Sequence, residues 1–402
     1  MADLFDKMAT DETIQRVKDA RDIGVYPYFR ALSDSEGVTA TFEGKEVVML
    51  GSNNYLGLTT DPRVREAAIE AIRRYGTSVT GSRFLNGTLE LHLELERRLA
   101  KFIGKEAALV FSTGYQTNLG TISAVVGKGD FIVLDKDDHA SIVDGCTMSQ
   151  GEMKRFRHND VSSLDAVLGR LPADAGKLVV VDGVYSMGGD IAPMREIVEI
   201  SKKHGARTMV DDAHGIGVTG KGRGTSAHFG LTDDVDLIMG TFSKSFASIG
   251  GFIAGDADVI YYIQHKARSL IFSAALPAPN AAAVLAALDI IETEPQHVEN
   301  LWDNAEHMRK GLKDLGYNTG MSNTPVIPVI LGEDFRVALA WHALIEEGVY
   351  TNPVVPPASA QGLLRTSYTA THTTAHLDRA LRAFKVVGER LDLIPLQDQV
   401  AQ

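Results

Sequence analysis

Short apolar runs alternate with amphipathic stretches through the first three-quarters of the chain. AALVFS at 107–112, FIVL at 131–134, LVVVD at 178–182, RTMV at 207–210 and VDLIMG at 235–240 are four to six residues long and aliphatic almost throughout. Such runs predict strands buried on both faces. Helical spacing of apolar residues appears over 61–75, 89–103, 193–204, 256–269 and 278–294, and a further helix follows the turn at 113–118. Strand and helix in alternation predict a mainly parallel central sheet flanked by helices. Residues 38–50 read as two short strands around the Glu43-Gly44-Lys45 turn. Ahead of them, Ile14, Val17 and Ala20 give residues 1–22 the spacing of a short amphipathic helix, followed by the irregular aromatic run GVYPYFRALSDSEG. Past residue 290 the pattern predicts helices over 296–316, 335–347 and 373–391 and strands near 326–331, 350–354 and 363–368. The expected organisation is an arm over 1–55, a large α/β domain over 56–290 and a smaller α/β domain over 291–402, ending in a mobile PLQDQVAQ tail.

Composition narrows the function classes. The chain has 402 residues, 44% of them apolar and 23% charged, enough for a large core and more than one lobe. A formal net charge of −12 without a basic stripe argues against nucleic-acid binding. A single cysteine, Cys146, excludes an intrachain disulfide framework and a cysteine-rich metal site. The start, MADLFDKMATDE, lacks the basic-then-apolar order of a signal peptide, and the apolar stretch 274–291 is broken by prolines, Asn280 and Asp289. A cytoplasmic protein with no transmembrane segment and no metal is expected.

The candidate chemistry gathers in 211–251, DDAHGIGVTGKGRGTSAHFGLTDDVDLIMGTFSKSFASIGG. One strand delivers Asp211 and His214 to a turn, and the next delivers Thr241, Ser243 and Lys244 to another. If the two strands are parallel neighbours, both turns lie at the carboxyl edge, where α/β sheets hold ligands. Lys244 sits among Phe242, Phe246, Ile249 and Phe252, with few charges nearby in sequence to solvate it. A desolvated lysine loses proton affinity and becomes a usable nucleophile or base. The turn at 113–118, TGYQTN, offers the free N–H groups of a helix start to an anion. GIGVTG at 215–220 matches the dinucleotide fingerprint in form, but Asp211 to His214 separate it from the strand and loop residues follow it. GVYS at 183–186 is not a nucleophile elbow, because Val184 stands where the elbow needs glycine.

Asp-x-x-His at Asp211 and His214, the glycine-rich run ending in Gly222-Arg223-Gly224, and Thr-x-x-Lys at Thr241 and Lys244 resemble the α-oxoamine synthases, pyridoxal-phosphate (PLP) enzymes of fold type I. The likeness runs from about Gly51 to His372. It implies the fold type I aminotransferase architecture and a PLP-dependent condensation of an amino acid with an acyl-CoA to an α-aminoketone, CoA and CO2. It implies that Lys244 carries the cofactor, Asp211 faces the ring nitrogen, His214 the phenolic oxygen and His139 of the HAS run the ring face, with Ser186 near the phenolic oxygen. Gly114, Tyr115, Thr241, Ser243 and, from a second subunit, Ser273 would hold the phosphate, which implies a homodimer with shared sites. Asn53 and Arg365 would hold the amino-acid carboxylate, and Arg30 is a further phosphate contact. Phe84 stands where family members that take a succinyl group have a polar asparagine, so an uncharged acyl chain is expected. GSRFLNGT, YPYFRA and GTFSKSFASIGGF look closest to bacterial serine palmitoyltransferase-like members, implying L-serine and a long-chain acyl-CoA. The alternatives are 8-amino-7-oxononanoate synthase or glycine C-acetyltransferase activity and, more remotely, a PLP aminotransferase or a non-catalytic partner subunit.

Overall fold

The structure, a computed structural model, describes residues 3–35, 37–356 and 358–394. The PLQDQVAQ tail, residues 395–402, lies outside the described residues. Near the amino terminus, strands β1 (Leu32–Ser35), β2 (Thr39–Phe42) and β3 (Lys45–Met49) form an antiparallel ribbon. The central sheet holds seven strands: β4 (Ala107–Phe111), β5 (Phe131–Asp135), β6 (Glu152–Phe156), β7 (Lys177–Asp182), β8 (Arg207–Asp211), β9 (Leu237–Thr241) and β10 (Gly251–Gly255). Their order across the sheet is β4-β10-β9-β8-β7-β5-β6. Every pairing from β9 to β6 is parallel, and β10 runs antiparallel between β9 and β4. Strand β7 is buried at all six positions, as a sheet covered on both faces requires.

The remaining strands are β11 (Val326–Gly332), β12 (Val349–Tyr350), β13 (Asn352–Val354) and β14 (Gly362–Ser367). A three-stranded sheet has the order β11-β14-β13, while β12 pairs in parallel with β3. The stretch 350–354, expected as one strand, is therefore two: the chain leaves one sheet and joins another across the buried Thr351. The expected amphipathic helix over 1–22 is two helices, Leu4–Ala9 and Glu12–Asp22, with no buried residue in either. The expected helix over 256–269 ends at Lys266 and resumes as a single turn, Arg268–Ile271. Strands β6 and β10 escape the sequence pattern for opposite reasons. EMKRF is a charged edge strand with one buried residue, and GFIAG opens and closes on glycine.

The turn after β9 is fixed from below by aromatic rings. Phe242 and Phe246, two residues either side of Lys244, are fully buried, and Phe242 stacks on Phe252 of β10 at 5.8 Å. Ala247 holds a left-handed φ of 55°, which costs an L-residue energy and is sustained by the bonds from its N–H to the Lys244 carbonyl (2.9 Å) and from Ser248 N–H to the Phe242 carbonyl (2.9 Å). The glycines of GIGVTG serve packing: Gly215 lies against Asp212 and Thr225, Gly220 against Ala227 and His228, and Gly217 against this turn. Gly217 has φ +80°, and a Cβ there would lie 2.3 Å from Cβ of Ser245. The residues after Gly220 form a one-turn 3-10 helix and a short helix, Thr225–His228, where only loop was expected.

The loop over 76–88 hangs on a buried ion pair. Arg83 donates through Nη1 and Nη2 to the two oxygens of Glu96 at 2.8 and 3.1 Å, and Glu96 also accepts from Val110 N–H of β4 at 2.9 Å. Removing one partner of such a pair leaves an uncompensated buried charge. Arg83→Ala should lower the unfolding free energy in urea by about 3–5 kcal/mol, and a loss below about 1 kcal/mol, the exposed-pair range, would contradict the arrangement.

Candidate active site

The carboxyl ends of β7, β8 and β9 are level. Asp182 is the register partner of Asp211, and Asp211 is that of Met239, two residues before Thr241. The helix Gly114–Val125, which follows β4, points its N-terminus at the same edge. Between them lies a cleft of about 330 Å³ lined by Thr113, Gly114, Tyr115, Asn118, His139, Ser141, Asp182, Asp211, His214, Thr241, Ser243 and Lys244, among others.

Lys244 faces this cleft. Burial depresses its ammonium pKa, Asp211 opposes that, the Arg365 guanidinium adds to the depression and Asp182 opposes it; the result is a fall to about 8. The expectation that few charges surround this lysine held only along the sequence, because the fold brings two carboxyls and a guanidinium to it. Asp211 accepts from Asn118 Nδ2 at 2.7 Å and from Ala213 N–H at 3.0 Å. Asn118 Nδ2 also donates to Ser141 Oγ at 2.8 Å, which lies 2.7 Å from His139 Nδ1. The Ser141 N–H donates to that same Nδ1 at 3.3 Å, so the neutral ring carries its proton on Nε2. Burial lowers the His139 pKa, with Asp211 opposing and Lys244 assisting.

His214 is tied to the far end of the chain. Its Nδ1 lies 2.7 Å from the hydroxyl of Tyr55, which accepts from Arg365 Nη2 at 3.4 Å. With the guanidinium as donor, the Tyr55 O–H points at Nδ1 and leaves the histidine proton on Nε2. Burial drives the His214 pKa well below its ordinary value, and Lys244, Arg365 and His139 push the same way. Burial likewise raises the Tyr55 pKa. Arg365 itself is only 4% exposed. It donates from Nε to the Ser186 carbonyl at 2.6 Å and from Nη2 to Asn53 Oδ1 at 2.9 Å. No surface salt bridge is involved.

The phosphate candidates fall in two groups. Gly114 meets Thr241 so closely that a Cβ would lie 2.7 Å from Thr241 Oγ1, and Thr241 Oγ1 is 2.9 Å from Ser243 Oγ. With the first N–H groups of a twelve-residue helix beside two hydroxyls, this corner is an anion cradle. Tyr115 lies at its rim, bonded to Asp144. Ser273 stands apart from the cleft lining and accepts from Gln116 Nε2 at 3.0 Å. Ser186 is held to Arg365 through its carbonyl. Arg30 is not free to serve as a phosphate contact, because it is paired with Glu43 and packed on Phe42. Phe84 is 56% exposed beside a cavity of about 170 Å³ shared with Arg83, Leu109, Gln264, His265 and Leu270, so it is no core residue.

The donor set fits pyridoxal phosphate: a cleft-facing lysine, a carboxylate held by two N–H donors, an anion cradle that a side chain at Gly114 would fill, and buried oxygens of Asn118 and Asp182 left without a partner. Among the described residues no cluster of histidine, cysteine and acidic side chains could hold a metal ion. Sequence reasoning missed Tyr55, Asn118, Ser141 and Asp182. Asn118, Ser141 and Asp182 lie inside the runs TGYQTN, HAS and LVVVD and Tyr55 two residues after Asn53, but nothing along the chain marks them as partners of residues about 20 to 310 positions away.

The aminotransferase class I and II family profile matches residues 45–384, and the chain belongs to that family; its fold is that of the PLP enzymes of fold type I. Within it the chain groups with the α-oxoamine synthases. It is 48% identical to the serine palmitoyltransferase of Sphingobacterium spiritivorum over 376 residues, 92% of this chain and 94% of that one. The solved structure of serine palmitoyltransferase from S. paucimobilis with bound PLP–myriocin aldimine superposes with a TM-score of 0.95, at 40% identity over 98% of this chain and 100% of that one. The 8-amino-7-oxononanoate synthase of Thermoanaerobacter pseudethanolicus is 41% identical over 384 residues, 94% of this chain and 97% of that one.

Two outcomes follow from this geometry. The rate at which the apoprotein captures pyridoxal phosphate should rise with pH to a plateau above about 8, because the neutral amine is the nucleophile; a midpoint near the ordinary lysine value would refute the depressed pKa. Tyr55→Phe keeps the ring and removes the bridge between His214 and Arg365. It should weaken amino-acid binding about tenfold, the worth of one hydrogen bond to a charged group, and shift the absorption of the bound cofactor, both read by spectrophotometric titration.

Proposed function

We propose that this chain condenses L-serine with a long-chain acyl-CoA, releasing CoA and CO2 and forming a 3-oxo-sphinganine-type aminoketone, with pyridoxal phosphate as cofactor. The observation that carries this reading is the convergence of Lys244, Asp211, His139 and His214 on one cleft, with Arg365 linked to His214 through Tyr55, in a chain 48% identical to a serine palmitoyltransferase. When bound, pyridoxal phosphate supplies an aldehyde that captures amines and an electron-poor ring that takes up the electrons of a Cα carbanion.

The residues divide the remaining work. Gly114, Tyr115, Thr241 and Ser243 hold the phosphate, and Ser273 reaches the site of a second protomer. Asp211 keeps a proton on the ring nitrogen; a close buried pair of this kind gains a few kcal/mol at an effective dielectric of about 20. His139 would hold the face of the cofactor ring and His214, through its Nε2 proton, the phenolic oxygen, with Ser186 assigned to the same oxygen. Arg365 and Asn53 orient the serine carboxylate, the guanidinium fork matching two oxygens. With pyridoxal phosphate bound, the Lys244 amine would be the base that takes the Cα proton of the amino acid. The Cα to thioester-carbon bond would form as the C–S bond breaks and CoA departs; the C–CO2 bond of the carboxylate that Arg365 and His139 hold would then break, and the Lys244 ammonium would return a proton to Cα. Phe84, apolar and exposed at the loop 76–88, favours an uncharged acyl chain over a succinyl group.

We read residues 1–55 as an arm, 56–290 as the cofactor-binding domain and 291–402 as the small domain. We propose a homodimer with shared sites, supported by the apolar Phe84, Leu85 and Phe272 left exposed around the Ser82–Ala274 bridge. No described helix is long and apolar enough to cross a membrane, and we place the protein in the cytoplasm.

A panel of L-serine, L-alanine, glycine and L-threonine against palmitoyl-, pimeloyl-, succinyl- and acetyl-CoA, scored by free thiol, tests the assignment. Thiol release should require L-serine with the long chain. Preference for alanine with pimeloyl-CoA would make the chain an 8-amino-7-oxononanoate synthase, and preference for glycine with acetyl-CoA a glycine C-acetyltransferase. Keto-acid formation without thiol release would indicate an aminotransferase, and a colourless protein a silent subunit. In the same assay Arg365→Lys should raise the KM for serine by about ten- to a hundredfold, with a smaller change in kcat.

A further inference from the structure

One buried acid at the cleft floor has no part in the scheme above. Asp182 ends β7 where Asp211 ends β8, and the two are register partners in a parallel ladder, so their side chains project on the same side of the sheet. Both line the cleft. Asp211 has two N–H donors, from Asn118 and Ala213. Asp182 is 4% exposed, and its Oδ1 is buried with no hydrogen-bond partner. The main-chain N–H of His139 faces its carboxyl.

The groups that face Asp182 can be counted element by element. From β8 comes Asp211; from the turn after β9, Lys244; from β5 and the turn after it, Asp135, Asp138 and His139; and from the turn after β7 itself, the buried hydroxyl of Tyr185. Asp138 accepts the Asp182 main-chain N–H at 2.9 Å and the Asp135 N–H at 2.9 Å. Asp135 is matched by His158, whose imidazole lies 3.0 Å from it and 2.9 Å from Asp190. Lys244 is thus the single cation shared by Asp211 and Asp182. Two carboxylates beside one ammonium in a dry site cannot both be ionised without a large desolvation penalty.

We propose that Asp182 is a positioning residue held as the neutral acid: it takes the proton of the Asp182–Asp211 pair, so that Asp211 alone carries the charge facing the ring nitrogen, and it anchors His139 through that residue's main-chain N–H. This rests on the reading of the cleft as a pyridoxal-phosphate site. Burial and the neighbouring Asp211 both push the Asp182 pKa well up, against the pull of Lys244. The arrangement explains why an orphaned carboxyl oxygen is tolerated beside the chemistry. A neutral acid costs far less to bury than an anion, and it leaves the Lys244–Asp211 pair balanced.

The test compares Asp182→Asn, which is neutral and of the same shape, with Asp182→Ala. In infrared difference spectra of the full-length apoprotein at pH 7, wild type minus Asp182→Asn should contain the carbonyl stretch of a protonated carboxyl. Carboxylate bands in its place would overturn the proposal. The pH midpoint for capture of pyridoxal phosphate should be the same in Asp182→Asn as in wild type; a midpoint lower by half a unit or more means that an anion was removed, and sinks it. Asp182→Asn should keep the cofactor dissociation constant within about threefold, while Asp182→Ala weakens it about tenfold or more. Equal loss in both variants would assign the residue an ionic role instead. The infrared measurement needs neither cofactor nor substrate, so failure of the functional reading and failure of this one are told apart.

Discussion

The constraint on which the rest of the structure depends is the placement of an ammonium and a carboxylate at the ends of adjacent parallel strands. β8 ends at Asp211 and β9 at Thr241, and their register makes Asp211 level with Met239. Lys244 arrives three residues past the strand end on a turn that Phe242 and Phe246 pin into the core. Desolvation would weaken that lysine's hold on its proton further if Asp211 did not oppose it. The balance leaves an amine that is reactive near neutral pH and still matched to an acid. A parallel ladder is rigid, so this balance is set by backbone geometry and not by the wandering of two long side chains.

A second constraint ties the two ends of the chain to that pair. Arg365 comes from β14, Asn53 and Tyr55 from the segment after β3, and Ser186 from the turn after β7; all meet around one guanidinium. Strand β12 adds to β3 in parallel, which fastens the amino-terminal ribbon to the carboxyl-terminal region by main-chain bonds. The group placed to hold a substrate carboxylate is therefore coupled, through the Tyr55 hydroxyl, to the tautomer of His214 in the cleft. Binding and cofactor electronics share one hydrogen-bonded chain.

Charge is distributed on the same economy. Asp135, Asp138, Asp182 and Asp211 lie buried along the carboxyl edge of three neighbouring strands, with His158 and Lys244 as the nearby cations. His158 shows how the outer part is settled. Burial alone would depress its pKa, but hydrogen bonds to Asp135 and Asp190 more than offset that and raise it to about 10. The inner part likewise has one cation, Lys244, for Asp211 and Asp182, and there the proposed proton on Asp182 makes up the difference.

The sequence by itself determined that the core sheet is mainly parallel, because apolar runs such as LVVVD alternating with amphipathic helices call for burial on both faces, and it marked Asp211, His214, Thr241 and Lys244 as a group, because each sits just beyond such a run; the order of the strands came from the tertiary structure. Its motifs were enough to name the family. It could not show β6 and β10, where an exposed charged edge and flanking glycines erase the pattern, nor the break at Thr351, where one extended run serves two sheets. Tyr55, Asn118, Ser141 and Asp182 were legible as residues but not as partners. Hydrogen bonds between positions as far apart as 55 and 365 exist only once β-sheet register and helix packing have fixed those distances, and the protonation of a carboxyl depends on which charges and how much water the finished fold leaves beside it.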